Sequence, residues 1–167
     1  YEPQFMVRGD SIDPWSSEQS TDYDRMIEQF GLTPIDLGSI PNPGMLHRRG
    51  IVFAHRDMDV ITDSITKGDP FGVLTGLMPS GRMHLGHSMV IEQVRWFQEQ
   101  GADVTVAVAD LEALATRGTS LSKGRETALR EYVLNYAALG LNSDKTSVYF
   151  QSSRPEVQRL AFTLGKR

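Results

Sequence analysis

The sequence predicts an α/β fold: a Rossmann-like parallel sheet with flanking helices, preceded by an irregular, partly helical N-terminal extension. Three observations lead there. Apolar runs at residues 71–75, 104–108 and 147–151 alternate with segments whose apolar residues recur at helical spacing. The intervening stretches are long enough for the helical crossovers that parallel neighbours require. Residues 1–70, by contrast, carry scattered prolines and glycines without that alternation.

Residues 21–30 open the chain's regular structure, with acids in the first turn, Tyr23, Met26, Ile27 and Phe30 on one face, and Gly31 just beyond. That is the pattern of a short amphipathic helix. Residues 32–50 contain Pro34, Pro41 and Pro43, each lacking a backbone donor, and are expected to lack regular structure up to Arg48 and Arg49. Ile51-Val52-Phe53 is a strand or an anchor, and residues 58–65 form another short helix ended by Gly68 and Pro70. Residues 1–70 are read as the extension, and 71–167 as the first part of a nucleotide-binding domain, incomplete at its C-terminal end.

From Phe71 the alternating units begin. The run Phe71-Gly72-Val73-Leu74-Thr75 is followed by a Gly/Pro/Ser turn and a helix with Val90, Val94 and Phe97 on one face, ending before Gly101. Val104-Thr105-Val106-Ala107-Val108 is β-branched and apolar throughout, as in a strand covered on both faces. Ser122 is expected to cap a helix with Leu129, Tyr132, Val133, Tyr136 and Leu139 on its apolar face, terminated at Gly140. The aromatic set Trp96, Phe97, Tyr132, Tyr136, Tyr149 and Phe150 sits at core spacing and is assigned to packing.

Bulk composition narrows the chemistry. With no cysteine among 167 residues, disulfides, thiolate metal sites and cysteine nucleophiles are excluded, leaving His, carboxylates, hydroxyls, Arg and backbone. A net charge of -4 gives no global attraction for nucleic acid, so any polyanion contact is local. No apolar run approaches the roughly 20 residues of a bilayer span. A cytoplasmic protein with no membrane partner is the expectation.

The turn after the first strand, residues 75–87, occupies the place where an α/β sheet holds a nucleotide. Gly76, Gly81 and Gly86 allow close backbone approach, and the positive end of the next helix favours phosphate. His84 and His87, three apart, can stand on one side of the first helical turn as imidazole donors, while Leu85 is expected to point into the core. Zinc is disfavoured because no third ligand lies nearby, and no metal site is assigned. A Walker-type loop lacks its Gly-Lys-Ser/Thr ending. A plain connecting turn with incidental histidines remains open on these residues alone.

Pro79-Ser80-Gly81-Arg82-Met83-His84-Leu85-Gly86-His87 resembles the first ATP motif of the class I aminoacyl-tRNA synthetases. The resemblance implies ATP binding through Thr75, Gly76, Pro79, Ser80, His84, Gly86 and His87, with Mg²⁺ accompanying the nucleotide. It also implies that His84 and His87 are the catalytic donors, steadying the transition state as an amino-acid carboxylate attacks the α-phosphate.

The stretch Ala109-Asp110-Leu111-Glu112-Ala113, at the end of the second strand, resembles the tryptophan enzymes of the archaeal and eukaryotic branch. There a Glu matching Glu112 recognises the indole nitrogen, and an ionised carboxylate, an acceptor only, suits that donor. Asp110 beside it is equally a turn or cap residue. The related tyrosine enzymes typically show His at the position of Glu112 and an acid where Met78 stands. Leu74, Gly76, Met78, Ala107 and Glu112 are thus the tryptophan-binding set; eukaryotic relatives have Tyr at the position of Leu74 and Gln at that of Ala107. Asp13-Pro14-Trp15, Tyr23-Asp24 and residues 48–57 resemble the N-terminal extension of the same branch, with Trp15 read as a buried anchor.

The function implied is activation of L-tryptophan with ATP and its transfer to tRNA(Trp), by a protein that is a homodimer at full length. The alternatives are a tyrosine enzyme or diverged paralogue, a small nucleotidyltransferase, and an inert binding module. Nothing after His87 matches the second ATP motif, Lys-Met-Ser-Lys-Ser, and the chain starts at Tyr1 and ends in an apolar stretch. It is expected to be a piece of a longer protein, with negligible aminoacylation by itself.

Overall fold

The computed structural model describes residues 23–165. The anchor expected at Trp15 lies outside the described residues. Helix α1, Tyr23–Phe30, ends where Gly31 takes the left-handed conformation. Strand β1, Thr33–Pro34, pairs antiparallel with β2, Ala54–His55, and between them lies α2, Met45–Arg48. The stretch expected to be irregular therefore holds one turn of helix. What stabilises it is tertiary: Leu46 and His47 are buried, and His47 packs edge-on against Trp96. Helix α3, Met58–Lys67, stops at Gly68 in the left-handed conformation.

The alternation then appears as predicted: β3 Gly72–Leu77, α4 Leu85–Glu99 and β4 Asp103–Val108. Next comes α5, Asp110–Arg117, which periodicity missed because eight residues make little more than two turns, too short to show a helical repeat. Helix α6, Leu121–Thr127, runs through a π-helical turn, Ala128–Val133, into α7, Leu134–Ala138. Its cap is Ser120, whose hydroxyl accepts the Lys123 N–H at 3.3 Å, and not Ser122. Strand β5, Thr146–Phe150, a 3₁₀ turn Gln151–Ser153 and α8, Pro155–Leu164, complete the described order.

Strands β3, β4 and β5 form one parallel sheet in that spatial order, with Gly76 beside Ala107 and Val106 beside Val148. The fold class read from the sequence is the one observed. Val104, Val106 and Val108 of the central strand share a core with Ile91 and Val94 of α4 and with Ala128, Tyr132 and Tyr136. Gln98, buried at the far end of α4, donates to Asn142 O and Thr146 Oγ1 and accepts the Asn142 N–H at 2.7 Å, which fixes where β5 begins. Two expected core residues of the long helix, Leu129 and Leu139, are exposed. On β3, Gly72, Leu74 and Gly76 all face outward, Leu74 with 71% of its surface exposed. No helix among the described residues is long and apolar enough to cross a membrane.

Candidate functional site

The carboxyl ends of β3 and β4 are joined directly, the Ala109 N–H donating to Leu77 O at 2.7 Å. That bond brings the turn after β3 and the start of α5 to one edge of the sheet. Below it, the outward residues Leu74 and Gly76 of β3 lie beside Thr105 and Ala107 of β4. In a parallel sheet, register partners point to the same face, so Leu74, Gly76 and Ala107 share one wall. Thr75 points the other way, toward the core side. Met78 stands at the rim, its sulfur 3.8 Å from the Thr116 hydroxyl, and that hydroxyl also donates to Glu112 O at 2.8 Å. Met78 and the first turn of α5 thus meet through Thr116, a residue that the sequence did not single out. Glu112 itself is exposed.

Asp110 has a different job. It is 1% exposed and accepts both the backbone N–H of Ser152, at 3.0 Å, and the Ser152 hydroxyl. This carboxylate ties the end of β4 to the turn after β5, and so sets the direction in which α5 leaves the sheet. Of the two acids in that helix's first turn, the buried one holds structure and the exposed one is open to a ligand.

Pro79 is fully buried, and α6 approaches it through Gly124, where an added Cβ would lie 3.7 Å from Pro79 Cγ and 4.0 Å from Asp110 Cβ. The proline therefore seats the turn beneath α6. Ser80 beyond it is exposed, with its N–H donating to Met78 O at 2.8 Å. Met83 packs on the core, whereas Leu85, expected to be buried, is 78% exposed. The reason is position: Leu85 is the first residue of α4, ahead of the face that meets the sheet.

His84 is the cap residue of α4, and its backbone N–H donates to His87 Nδ1 at 3.3 Å. The two rings lie 3.9 Å apart, and a Cβ on Gly86 would come within 3.2 Å of the His84 ring. Glycine leaves room for that tilted contact, which a Cβ would push apart by a few tenths of an ångström. Because Nδ1 of His87 accepts, the neutral ring carries its proton on Nε2. Among the described residues Nε2 has no hydrogen-bond partner. Desolvation, with His84 beside it, lowers the His87 pKa and favours the neutral form. The ring stands in the first turn of a 15-residue helix, whose dipole is positive there. On its inner side His87 meets Tyr132, ring centroids 5.3 Å apart. Sequence reasoning assigned Tyr132 to packing alone.

Lys123 and Arg125 do not join this cluster: Lys123 pairs with Glu126 at 3.3 Å and Arg125 lies over the Phe150 ring. Among the described residues no three His, Asp or Glu side chains converge as a metal cage.

Residues 66–167 match the family of class I tRNA synthetases for W and Y. The chain is 46% identical over 158 residues to the tryptophan–tRNA ligase of Methanosarcina acetivorans, an alignment covering 93% of this chain and 36% of that protein. The crystal structure of tryptophanyl-tRNA synthetase from Aeropyrum pernix superposes with a TM-score of 0.80 at 38% identity, over 93% of this chain and 45% of that one. A tryptophan-bound tryptophanyl-tRNA synthetase from Encephalitozoon cuniculi gives 0.70 at 27% identity, over 79% and 42%. The chain therefore spans less than half the length of these relatives.

Proposed function

The chain belongs to the class I tRNA synthetases of the tryptophan and tyrosine group, and from that premise we propose that it carries the first ATP motif and the amino-acid wall of a tryptophan–tRNA ligase. The observation that carries this is the His87 ring. Its Nδ1 is committed to the His84 N–H, and its Nε2–H has no partner among the described residues at the positive end of α4. An oriented N–H donor beside a helix N-terminus is a seat for phosphate oxygens. ATP fits this donor set of imidazoles and backbone N–H groups. Mg²⁺ fits it only through the nucleotide's phosphates, where it would offset their charge.

In the proposed reaction a carboxylate oxygen of tryptophan attacks the α-phosphorus as the bond to the β-phosphate bridging oxygen breaks and pyrophosphate leaves. Negative charge grows on the phosphoryl oxygens, and His84 and His87 act by donating to them from fixed positions. Ser80 and the backbone at Gly76 and Gly86 line the nucleotide's path, with Thr75 and Pro79 shaping the turn. Leu74, Gly76, Met78 and Ala107 give the indole an apolar wall, and Glu112 offers an acceptor for its N–H. Transfer to tRNA(Trp), homodimer assembly and a cytoplasmic location go with the full-length protein. So does the division into an extension, residues 1–70, and a catalytic part from residue 71.

The apolar side chains of Leu74 and Ala107 cannot hydrogen-bond the substrate, so the choice of amino acid falls to shape and Glu112. Isothermal titration of the protein with Mg²⁺·ATP, tryptophan and tyrosine tests this. Heat from ATP and from tryptophan, with tyrosine at least about tenfold weaker, is expected, in line with the penalty for an unmatched buried polar group. A clear preference for tyrosine would overturn the assignment.

A further inference from the structure

We propose that Tyr132 is a positioning residue for His87, holding the imidazole so that its Nε2 stays directed at the nucleotide phosphates. This rests on His87 being the phosphate donor argued above. Along residues 121–138 the buried positions are Gly124, Ala128, Tyr132 and Tyr136, each four after the last. An α-helix turns once in about 3.6 residues, so a stripe spaced by four drifts off one face within three turns unless the backbone absorbs extra length. The π-helical turn Ala128–Val133 absorbs it. Such turns are uncommon and recur at functional sites.

The consequence falls at the site. Tyr132, 1% exposed, stands edge-on to His87 with an interplanar angle of 86° at 5.3 Å, and Tyr136 backs it in a second T-shaped contact at 6.4 Å. The other restraints on the His87 ring, the His84 N–H and the His84 ring, both come from its own helical turn and from an exposed residue. Tyr132 reaches it from a different element whose position the core fixes. The Tyr132 hydroxyl has no hydrogen bond among the described residues, so the aromatic ring is the working part. Filling the core would need only an apolar side chain. Holding the imidazole edge-on needs a ring.

The test uses the full 167-residue chain, isotope-labelled at histidine, unmutated and as Y132F and Y132L, with nuclear magnetic resonance in the absence and presence of Mg²⁺·ATP. In the unmutated chain and Y132F, His87 is expected to show a bare Nδ1 and a protonated Nε2. In Y132L the two tautomers average and ATP binds about threefold to tenfold more weakly, the range an edge-to-face pair supplies. The buried His47 signals stay in place and report an intact fold. Unmutated tautomer and affinity in Y132L overturn the proposal, as does loss of the tautomer in Y132F. Should Y132L not fold, the unmutated chain decides: a His87–Tyr132 ring cross-peak with one His87 rotamer supports it, and rotamer averaging overturns it. ATP that moves neither His84 nor His87 removes the phosphate assignment instead, while the ATP-free tautomers still decide the role of Tyr132.

Discussion

Helices α2 and α4 begin with the same device. Each has a histidine at its third position whose Nδ1 accepts the N–H of the cap residue, Gly44 at 3.1 Å in one and His84 at 3.3 Å in the other. Their surroundings differ. His47 is 2% exposed, set edge-on against Trp96 at 4.5 Å. Since its Nδ1 accepts, Nε2 bears the proton, and the Gln93 amide 3.1 Å away must meet it with its carbonyl oxygen, which also gives that otherwise unpartnered buried oxygen a bond. His87 has the same protonation pattern and no partner on Nε2 among the described residues. One histidine is used up by the fold, the other is left with a donor to spend. The cap bond therefore sets the tautomer where neighbours hold the ring against it, and those neighbours also decide whether the remaining nitrogen is available to a ligand.

The largest effect separating the two sites is expected from Trp96→Ala. Trp96 is 4% exposed, donates from Nε1 to Asn42 O at 2.8 Å and walls the His47 ring. Truncation should cost about 3–5 kcal/mol in urea unfolding, the usual range for a buried tryptophan. The loss should release the segment around α2 while leaving the ATP response of His87 in place wherever the chain remains folded. A loss below about 1 kcal/mol would mean that the buried cap is not what fastens that segment to α4.

A finer contrast comes from adding one methyl group to the glycine at each helix start, Gly44 as the cap of α2 and Gly86 as the second residue of α4. At Gly44 the new Cβ would stand 2.9 Å from Trp96 Cδ1, a buried ring with nowhere to go, so Gly44→Ala should destabilise by about 1–3 kcal/mol. At Gly86 it would stand 3.2 Å from His84, an exposed ring that can swing away. Gly86→Ala should keep or raise stability by up to about 1 kcal/mol, since alanine is the better helix former. It should weaken ATP, because the displaced ring is the phosphate partner. Parallel urea melts and ATP titrations check both signs, and a Gly44→Ala chain as stable as the unmutated one would dissolve the distinction.

How far the sequence foretold this pair follows from the kind of signal each residue leaves. The strands and α4 were legible because alternation and helical spacing are local properties, and His84-x-Gly86-His87 was legible because it follows a strand. His47 left no such signal: its partners Gln93 and Trp96 lie 46 and more residues away, in a segment whose own prolines argued for a loop. The π turn was invisible for a related reason. A stripe at 3.6 spacing selected Leu129 and Leu139 along with Tyr132 and Tyr136, and only the bulge shows why Ala128 joins the two tyrosines in the core while the leucines stay outside. Helix α5 is short and held by Asp110 reaching across to Ser152, a contact between strand ends that sequence spacing does not report.

The smallest expected effect is the pH dependence of stability, and it ranks the two histidines directly. His47 is lowered below its ordinary value by desolvation first and by Arg48 second; His87 is lowered by desolvation first and by His84 second. A base whose folded pKa lies below its unfolded one binds fewer protons when folded, so stability rises with pH. The contribution is complete above the unfolded value of about 6.5 and is lost as pH falls through the depressed folded pKa. Urea midpoints of the unmutated chain should therefore decline between about pH 7 and pH 5, above the range where most carboxylates titrate. His47→Gln should flatten that decline more than His87→Gln. The first ring is enclosed by Trp96 and Gln93, whereas solvent reaches the second and screens its charge. A His87→Gln curve that is the flatter of the two would reverse the assignment, making the open histidine the structural one.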